Sequence, residues 1–467
     1  MPLLASTPAR FDSAQIAEAL GMPAPATAID VEGFSTDTRT IEAGNCFIAL
    51  KGENFNGNLY AQAAVEKGAV MCILSEEPQS PLTVPYFIVE DTVTAYGKLA
   101  NAYIQRLKAN GCKVIAVTGS SGKTTVKNMI SHVLARKFRT YCTSGNHNNH
   151  IGVPFTILHA PADTECLVLE MGMNHKGEIS RLAKIGCPDL ATITNIGKAH
   201  IGNLGSQDNI FRAKLEILEG MNAASGQLAF PADDPFLENL AAIPFPAERV
   251  FYSSRMGNSK ADLQALDICE APDGISFIVK SGEDTSKVDL PMTGVHNVTD
   301  ALLAIHIGLL NGMTLSECAD ALADFVPTAL RSDRVVFGET TIIRDFYNAN
   351  PEAMLASLNA LLLAAKDERK IALLGNMNEL GDFAADAHKS IGAFCQSNHI
   401  EAMFCGMNYN DFAEGYGSAE TAFATRDELI AALPRIFPTA APCFVLIKAS
   451  RGLQMEFVYD ALADILK

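Results

Sequence analysis

The stretch Val114-Ile-Ala-Val-Thr-Gly-Ser-Ser-Gly-Lys-Thr-Thr125 runs from a short apolar, β-branched block into two glycines, a lysine and two threonines. Behind it Val126, Met129, Ile130, Val133 and Leu134 recur at the spacing of one buried helix face. A strand, a glycine loop and a helix in that order form the setting in which a loop binds phosphate rather than merely turning the chain. Gly119 and Gly122 let backbone amides close on phosphate oxygens, and the helix presents its positive end to them. Lys123 can reach the β- and γ-phosphates, and the Thr124 hydroxyl can bind Mg²⁺. The loop Gly119, Ser120, Ser121, Gly122, Lys123, Thr124 and Thr125 is therefore the expected ATP site. One departure is visible: the widest P-loop pattern has glycine five residues before Gly122, where this chain has Val117.

Outward from the loop, short β-branched runs alternate with helix-period stretches through nearly the whole chain, which predicts an α/β fold of parallel sheets covered by helices. At 467 residues, and with domains of roughly 100 to 200 residues the norm, three are expected: 1–91, 92–328 and 329–467. The first has predicted strands at 47–50, 70–74 and 86–89, with a helix at 60–67. The second opens on a connecting helix at 92–108, carries the phosphate loop, and has later strands at 166–171 and 191–196. The third opens on a hairpin, 335–337 and 341–343 flanking Gly338-Glu339, with strands at 371–374, 402–405 and 443–447.

Composition narrows the class. With 48% hydrophobic and 19% charged residues the chain can fill several cores and is not a disordered protein. No basic start leads into an apolar block, and no run is apolar for the roughly 18 residues of a membrane span, so a soluble, cytoplasmic protein with no membrane insertion is expected. The 11 cysteines are scattered without a CxxC pair and read as reduced core thiols. A formal net charge of −17 argues against general nucleic-acid binding. An anionic ligand must then be met by a local basic pocket.

Other polar residues cluster near predicted strand ends, which in parallel sheets face the ligand crevice. Glu170 ends one strand and could hold a metal beside the phosphates, although a lone strand-end glutamate is more often a surface or capping residue. His200 follows another strand and alone reads as a structural histidine. Lys214 alone reads as a solvated helix lysine. Thr143-Ser-Gly-Asn-His-Asn-Asn-His150 is either a capped loop or a binding segment.

Together these residues resemble the Mur ligase family, the ATP-dependent amide-forming enzymes of bacterial peptidoglycan precursor synthesis. The resemblance rests on Thr118 to Thr125, Glu170-Met-Gly-Met-Asn174 with Gly177-Glu178-Ile179, Asn195 with Ala199-His200, Gly205-Ser206, Ala213-Lys214 with Glu216-Ile217, and Gly294-Val-His-Asn297. Within the family the pattern matches best the members that add D-alanyl-D-alanine to UDP-N-acetylmuramoyl-tripeptide. That match is carried by Asp37-Thr38-Arg39, Phe47 to Gly52, Asn146-His-Asn-Asn149, Tyr347-Asn-Ala-Asn350, Leu374 to Gly381, His388, and Lys448-Ala-Ser-Arg451 with Met455-Glu456. Departures from it are Asn56-Gly57-Asn58, Arg344 and Phe346 around Asp345, Asn376, Ala449 and Pro231.

The resemblance implies a central P-loop ATPase domain between a UDP-binding first domain and a Rossmann-like third. It implies catalytic roles for Lys123, Glu170, His200 and Lys214, with Thr124 and Glu170 on one Mg²⁺, His200 on a second, and Lys214 joining the metal site as a carbamate. Asn297, Arg331 and Asp345 would bind adenine and ribose or phosphate. Asp37 and Arg39 would hold the UDP end, and Asn146, Asn149, Tyr347, Asn348, Asn350, Lys448 and Arg451 the remaining substrate. The partners implied are small molecules acting on a monomer. Two rivals are a folyl-polyglutamate synthetase, which normally begins close to its phosphate loop, and a P-loop switch protein, which would need a base-specifying motif absent here.

Overall fold

The computed structural model describes residues 9–236, 245–246, 249–271, 274–327, 330, 332–437 and 442–467. Three α/β units follow one another along the chain, each around its own main sheet. In the first, β1 (Phe11–Asp12) and β2 (Asp30–Val31) form a short antiparallel ladder. Next come β3 (Gly33–Ser35), β4 (Asn45–Ile48), β5 (Met71–Leu74) and β6 (Tyr86–Ile88), parallel and in chain order. Side chains alternate across this sheet: Cys46, Ile48, Met71 and Ile73 join the main core, while Phe47, Cys72 and Leu74 pack on Ala61 and Ala64. The helix predicted at 60–67 is two pieces, a 3-10 turn Gly57–Tyr60 and an α-helix Ala61–Glu66.

The helix Thr92–Ala109 joins the first sheet to the second. Asp91 caps it, accepting from the amides of Val93 at 3.1 Å and Thr94 at 2.9 Å, and Arg106 and Lys108 sit at its negative end. Its buried face, with Tyr96, Leu99, Tyr103 and Leu107, belongs to the same core as both sheets. Asn101 donates to the carbonyls of Lys184 and Ile185, and Lys108 pairs with Asp189 at 2.8 Å.

The central sheet comprises β7 (Lys113–Thr118), β8 (Thr140–Cys142), β9 (Cys166–Glu170), β10 (Leu190–Ile193), β11 (Gln227–Pro231), β12 (Val250–Ser254), β13 (Leu263–Ala271), β14 (Gly274–Ser281) and β15 (Asp284–Leu290), in the order β15-β14-β13-β12-β11-β10-β7-β9-β8. Strands β7 to β13 run parallel, and β13, β14 and β15 form an antiparallel meander. The phosphate-loop helix Lys123–Leu134 buries Val126, Met129, Ile130, Val133 and Leu134 against Ile115 and Val117 of β7, in one core with the helix His296–Leu310. The strands from β11 to β15 have no counterpart in the sequence expectations. A bulge between Leu266 and Cys269, with Asp267 at a φ of 51°, breaks the alternation of β13. Strand β15 is polar along most of its length, which hides its period.

In the third unit β16 (Asp333–Phe337) and β17 (Thr340–Arg344) form the expected hairpin. It leads into a parallel sheet with β18 (Arg369–Gly375), β19 (Glu401–Cys405), β20 (Ala422–Phe423) and β21 (Cys443–Lys448), ordered β16-β17-β21-β18-β19-β20. All 11 cysteines are free thiols.

The Asp91 cap makes a specific expectation. Asp91→Ala should cost about 1 kcal/mol and lower the thermal midpoint by roughly 2–4 °C, read by differential scanning fluorimetry; an unchanged midpoint would show that the connecting helix is held by packing alone.

Candidate functional site

The carboxyl ends of β7, β9 and β10, three adjoining strands of the central sheet, meet at one crevice. The loop leaving β7 is pressed against the end of β10. A Cβ on Gly119 would lie 1.8 Å from Thr194 Oγ1, so only glycine fits there. The amide of Ser121 donates to Asn195 Oδ1 at 3.1 Å, and Asn195 Nδ2 returns a bond to the Ser121 carbonyl at 3.1 Å. The amide of Gly197 donates to Ser120 Oγ at 2.9 Å. Lys123 folds back on its own loop, its Nζ 2.9 Å from the Gly119 carbonyl. Gly122, at a φ of 78°, starts the helix whose free amides face the crevice.

Glu170, buried at the end of β9, accepts from Thr124 Oγ1 at 2.8 Å and from Asn148 Nδ2 at 2.8 Å. Two hard oxygen donors thus stand side by side next to the phosphate loop, the donor type Mg²⁺ prefers. Among the described residues no three His, Cys, Asp or Glu side chains converge as a self-sufficient metal cage. A magnesium ion would therefore complete its shell with phosphate oxygens and water, its usual habit.

His200 faces the same cavity, with Nδ1 2.5 Å from Glu379 Oε2 of the third unit, an ion pair not aligned as a hydrogen bond. Its imidazole holds the Glu379 carboxyl below the usual carboxylate range. Lys214 does not line the cavity; it is buried, 1% exposed. Burial pulls its ammonium well below the ordinary lysine value, and the charge of Lys123 adds to the effect.

The cavity, roughly 570 Å³, falls in the range of small-ligand sites. It is shared between units. Ser120 to Thr125, Asn149 and Glu170 line it from the central unit, as does Asn297, whose Nδ2 donates to the Thr293 carbonyl at 2.7 Å. From the third unit come Asp345, Tyr347, Asn348, Asn350 and Lys448. Polar groups of several of these are engaged already. Lys448 Nζ reaches Asp345 Oδ2 at 2.6 Å and the Asn348 carbonyl at 3.2 Å. Asn350 caps the helix Pro351–Ala365 through Oδ1 and donates from Nδ2 to Ser121 Oγ of the phosphate loop at 2.8 Å.

Other expected residues lie elsewhere. Asn146 is exposed and off the cavity, and Asn148, beside it, supplies the contact to Glu170. Arg451 is off the cavity, paired with Glu456 at 2.7 Å. Asp37 and Arg39 form a bidentate pair in the first unit, and the guanidinium holds the Asp37 carboxyl down at about 2. Arg331 lies outside the described residues.

Sequence reasoning passed over Asp300 and Glu352, and took Glu379 only as part of the segment 374–381, without a role. Asp300 stands three positions after Asn297 on the helix His296–Leu310, the spacing that puts both on one face. Its carboxyl oxygens lie 3.1 Å from where a Gly122 Cβ would be, and burial pushes its carboxyl up to about 8.

A phosphate loop on a parallel sheet, with a hydroxyl and carboxylate pair beside it and a third unit closing the same cavity, defines a P-loop nucleotide-binding enzyme of several domains. The Mur ligase middle domain matches residues 117–308, the Mur ligase glutamate ligase domain 331–451, and the Mur ligase family catalytic domain 30–123. A UDP-N-acetylmuramoyl-tripeptide–D-alanyl-D-alanine ligase of Bacillus subtilis is 36% identical over 442 residues, covering 93% of each chain. The crystal structure of MurF from Acinetobacter baumannii superposes with a TM-score of 0.89 at 30% identity, over 98% of this chain and 99% of that one. MurF from Thermotoga maritima, solved in complex with ADP, gives 0.81 at 25% identity over 93% and 97%. The chain belongs to the Mur ligase family.

Asp300 gives a testable pH dependence. Its carboxyl titrates near 3.8 when unfolded and about 8 when folded, so its contribution to stability is full below the lower value and lost as pH rises through the upper one. Asp300→Asn, neutral throughout, should lose less thermal stability than the parent between about pH 5 and pH 8.5. Parallel decline of the two melting curves would mean that Asp300 is ionised in the fold.

Proposed function

We infer that this protein joins D-alanyl-D-alanine to UDP-N-acetylmuramoyl-tripeptide in an ATP-dependent amide ligation that yields the UDP-linked pentapeptide precursor of peptidoglycan. The reading is carried by the ligases of that name to which the chain is similar over 93% of its length, taken with a cavity lined jointly by the phosphate loop and the third unit.

A carboxylate does not acylate an amine in water, because its oxygen is too poor a leaving group. In the reaction inferred here a terminal carboxylate oxygen of the tripeptide attacks the γ-phosphorus of ATP, ADP departs, and an acyl phosphate forms. The dipeptide amine then attacks the acyl carbon and inorganic phosphate leaves. The loop amides from Gly119 to Thr125 and the Lys123 ammonium offset charge on the transferring phosphoryl group, a task of positioning and electrostatics. Thr124 and Glu170 would hold Mg²⁺, with His200 facing a second ion; bound there, the metal supplies charge neutralisation on the phosphate oxygens. Asn297 and Asp345 serve the adenosine end, with Arg331, and Asp37 and Arg39 the UDP end. Asn146, Asn149, Tyr347, Asn348, Asn350, Lys448 and Arg451 contribute to the substrate surfaces, Asn350 and Lys448 through the contacts described above. Seating the third unit over the loop excludes water that would hydrolyse the acyl phosphate. The phosphate loop and the third-unit residues that line one cavity belong to one chain, which supports reading the protein as a monomer. ATP and nucleotide-linked precursors place the reaction in the bacterial cytoplasm.

Lys214 fits a carbamate role because burial favours its neutral amine, the form that combines with CO₂. Lys214→Ala should lower the ligation rate by about tenfold or more, and short carboxylates such as acetate should restore part of it. Full activity in Lys214→Ala, or no rescue of a folded inactive variant, would remove the carbamate from the mechanism.

The direct test incubates the protein with ATP, Mg²⁺, UDP-N-acetylmuramoyl-tripeptide and D-alanyl-D-alanine, following phosphate release and product mass. Phosphate that appears only with both substrates, together with the pentapeptide product, is the expected result. Turnover of a folate with glutamate, or ATP hydrolysis indifferent to substrates, would overturn the assignment.

A further inference from the structure

The seam between the central and third units reaches the cavity at His200, and the backbones there touch with no side chain between them. The Gly202 amide donates to the Glu379 carbonyl at 3.1 Å. A Cβ on Gly202 would come within 2.6 Å of the Gly381 amide nitrogen, and one on Gly381 within 2.9 Å of Gly202 Cα. His200 and Glu379, at φ values of 64° and 66°, both hold left-handed backbone, which a side chain disfavours. Such conformations persist where surrounding contacts impose them, and they gather at functional sites. Farther along the seam the Lys198 amide donates to Glu352 Oε1 at 3.1 Å, and Asn350 reaches Ser121.

These constraints put the Glu379 carboxylate 2.5 Å from His200 Nδ1. His200 lines the nucleotide cavity and Glu379 does not. With Nδ1 turned to the carboxylate, the Nε2 edge of the ring is left for the cavity. The contact is not aligned as a hydrogen bond here, yet a carboxylate against one nitrogen of an imidazole favours the ring direction that keeps that nitrogen toward it.

We propose that Glu379 is a positioning residue that acts through His200: it orients the imidazole toward the nucleotide and, being carried by the third unit, makes that orientation conditional on the third unit being seated. The site then completes itself only when the unit that shields it is in place. This rests on the ligase reading above. With the Glu379 end of the pair open to water, its contribution to fold stability is small, so a loss of rate without a matching loss of melting temperature separates positioning from a structural role.

The test is a mutant cycle of the parent, Glu379→Ala, His200→Ala and the double variant, with kcat and KM for ligation, ADP affinity and melting temperature measured on each. Glu379→Ala should lower kcat by about 10- to 100-fold while ADP affinity stays within about twofold. In the His200→Ala background the same change should cost less than about twofold, because groups acting through one another are not additive. Glu379→Gln, which preserves shape, guards against a folding defect and should show a smaller loss of kcat. Gly202→Ala, which wedges the seam and touches neither side chain, should reproduce the loss. Independently of turnover, ¹⁵N spectra of the histidine rings should place the proton of neutral His200 on Nδ1 and show that signal moved in Glu379→Ala. A kcat within twofold of the parent, losses that multiply in the double variant, or an unmoved ring signal would each overturn the proposal. Absence of ligation by the parent would instead count against the ligase reading, leaving the ring spectra to decide the contact.

Discussion

The site depends on a space that must stay empty of side chain. Gly119 passes so close to Thr194 that a Cβ would collide with its hydroxyl, and this closeness lets the loop between β7 and its helix fold flat against the end of β10. Once it does, Asn195 bonds the backbone of Ser121 from both sides of its amide, and Ser120 receives the amide of Gly197. The loop thus holds its shape through neighbours on an adjoining strand. A chain of net charge −17 has no general attraction for a triphosphate. Local donors in a fixed arrangement, together with Lys123, provide one.

From that fixed loop the remaining parts follow in order. The helix after it places Thr124 against Glu170, whose other oxygen is held by Asn148, so the carboxylate has one direction available. The third unit then registers on the same loop through Asn350, whose side chain caps its own helix and touches Ser121 at once. One asparagine therefore ties the position of a whole helix to the phosphate site. Lys448 and Asp345 behind it form a buried pair that fixes the segment carrying Tyr347 and Asn348.

What the sequence made legible was local. A strand, a glycine loop and a periodic helix lie within one short stretch, and residues at strand ends share a crevice by the rules of parallel sheets; Lys123, Thr124 and Glu170 meet for those reasons. The hairpin opening the third unit was legible from β-branched runs around Gly338. The meander of β13, β14 and β15 was not, because a bulge and a polar strand erase the period that would announce it. The roles of Asp300 and Glu379 were hidden for another reason. Each matters through a partner remote in the chain, Gly122 or His200, and side-chain type gives no sign of such a meeting.

Burial of charge links these observations. Water leaves a closing cleft, and every uncompensated charge inside becomes more costly as it goes. Burial acts on Lys214 and Asp300 in this sense, drawing the Lys214 ammonium toward its neutral amine and pushing the Asp300 carboxyl up to about 8. The cavity can then close on an anionic nucleotide without adding a repelling carboxylate beside Gly122. Two contacts at or beside the seam bring carboxylates onto nitrogen partners, Glu379 onto His200 and Asp345 onto Lys448. A site that handles a water-sensitive acyl phosphate needs both properties together, dryness and a field set in advance, and a protonated Asp300 serves the first without weakening the second.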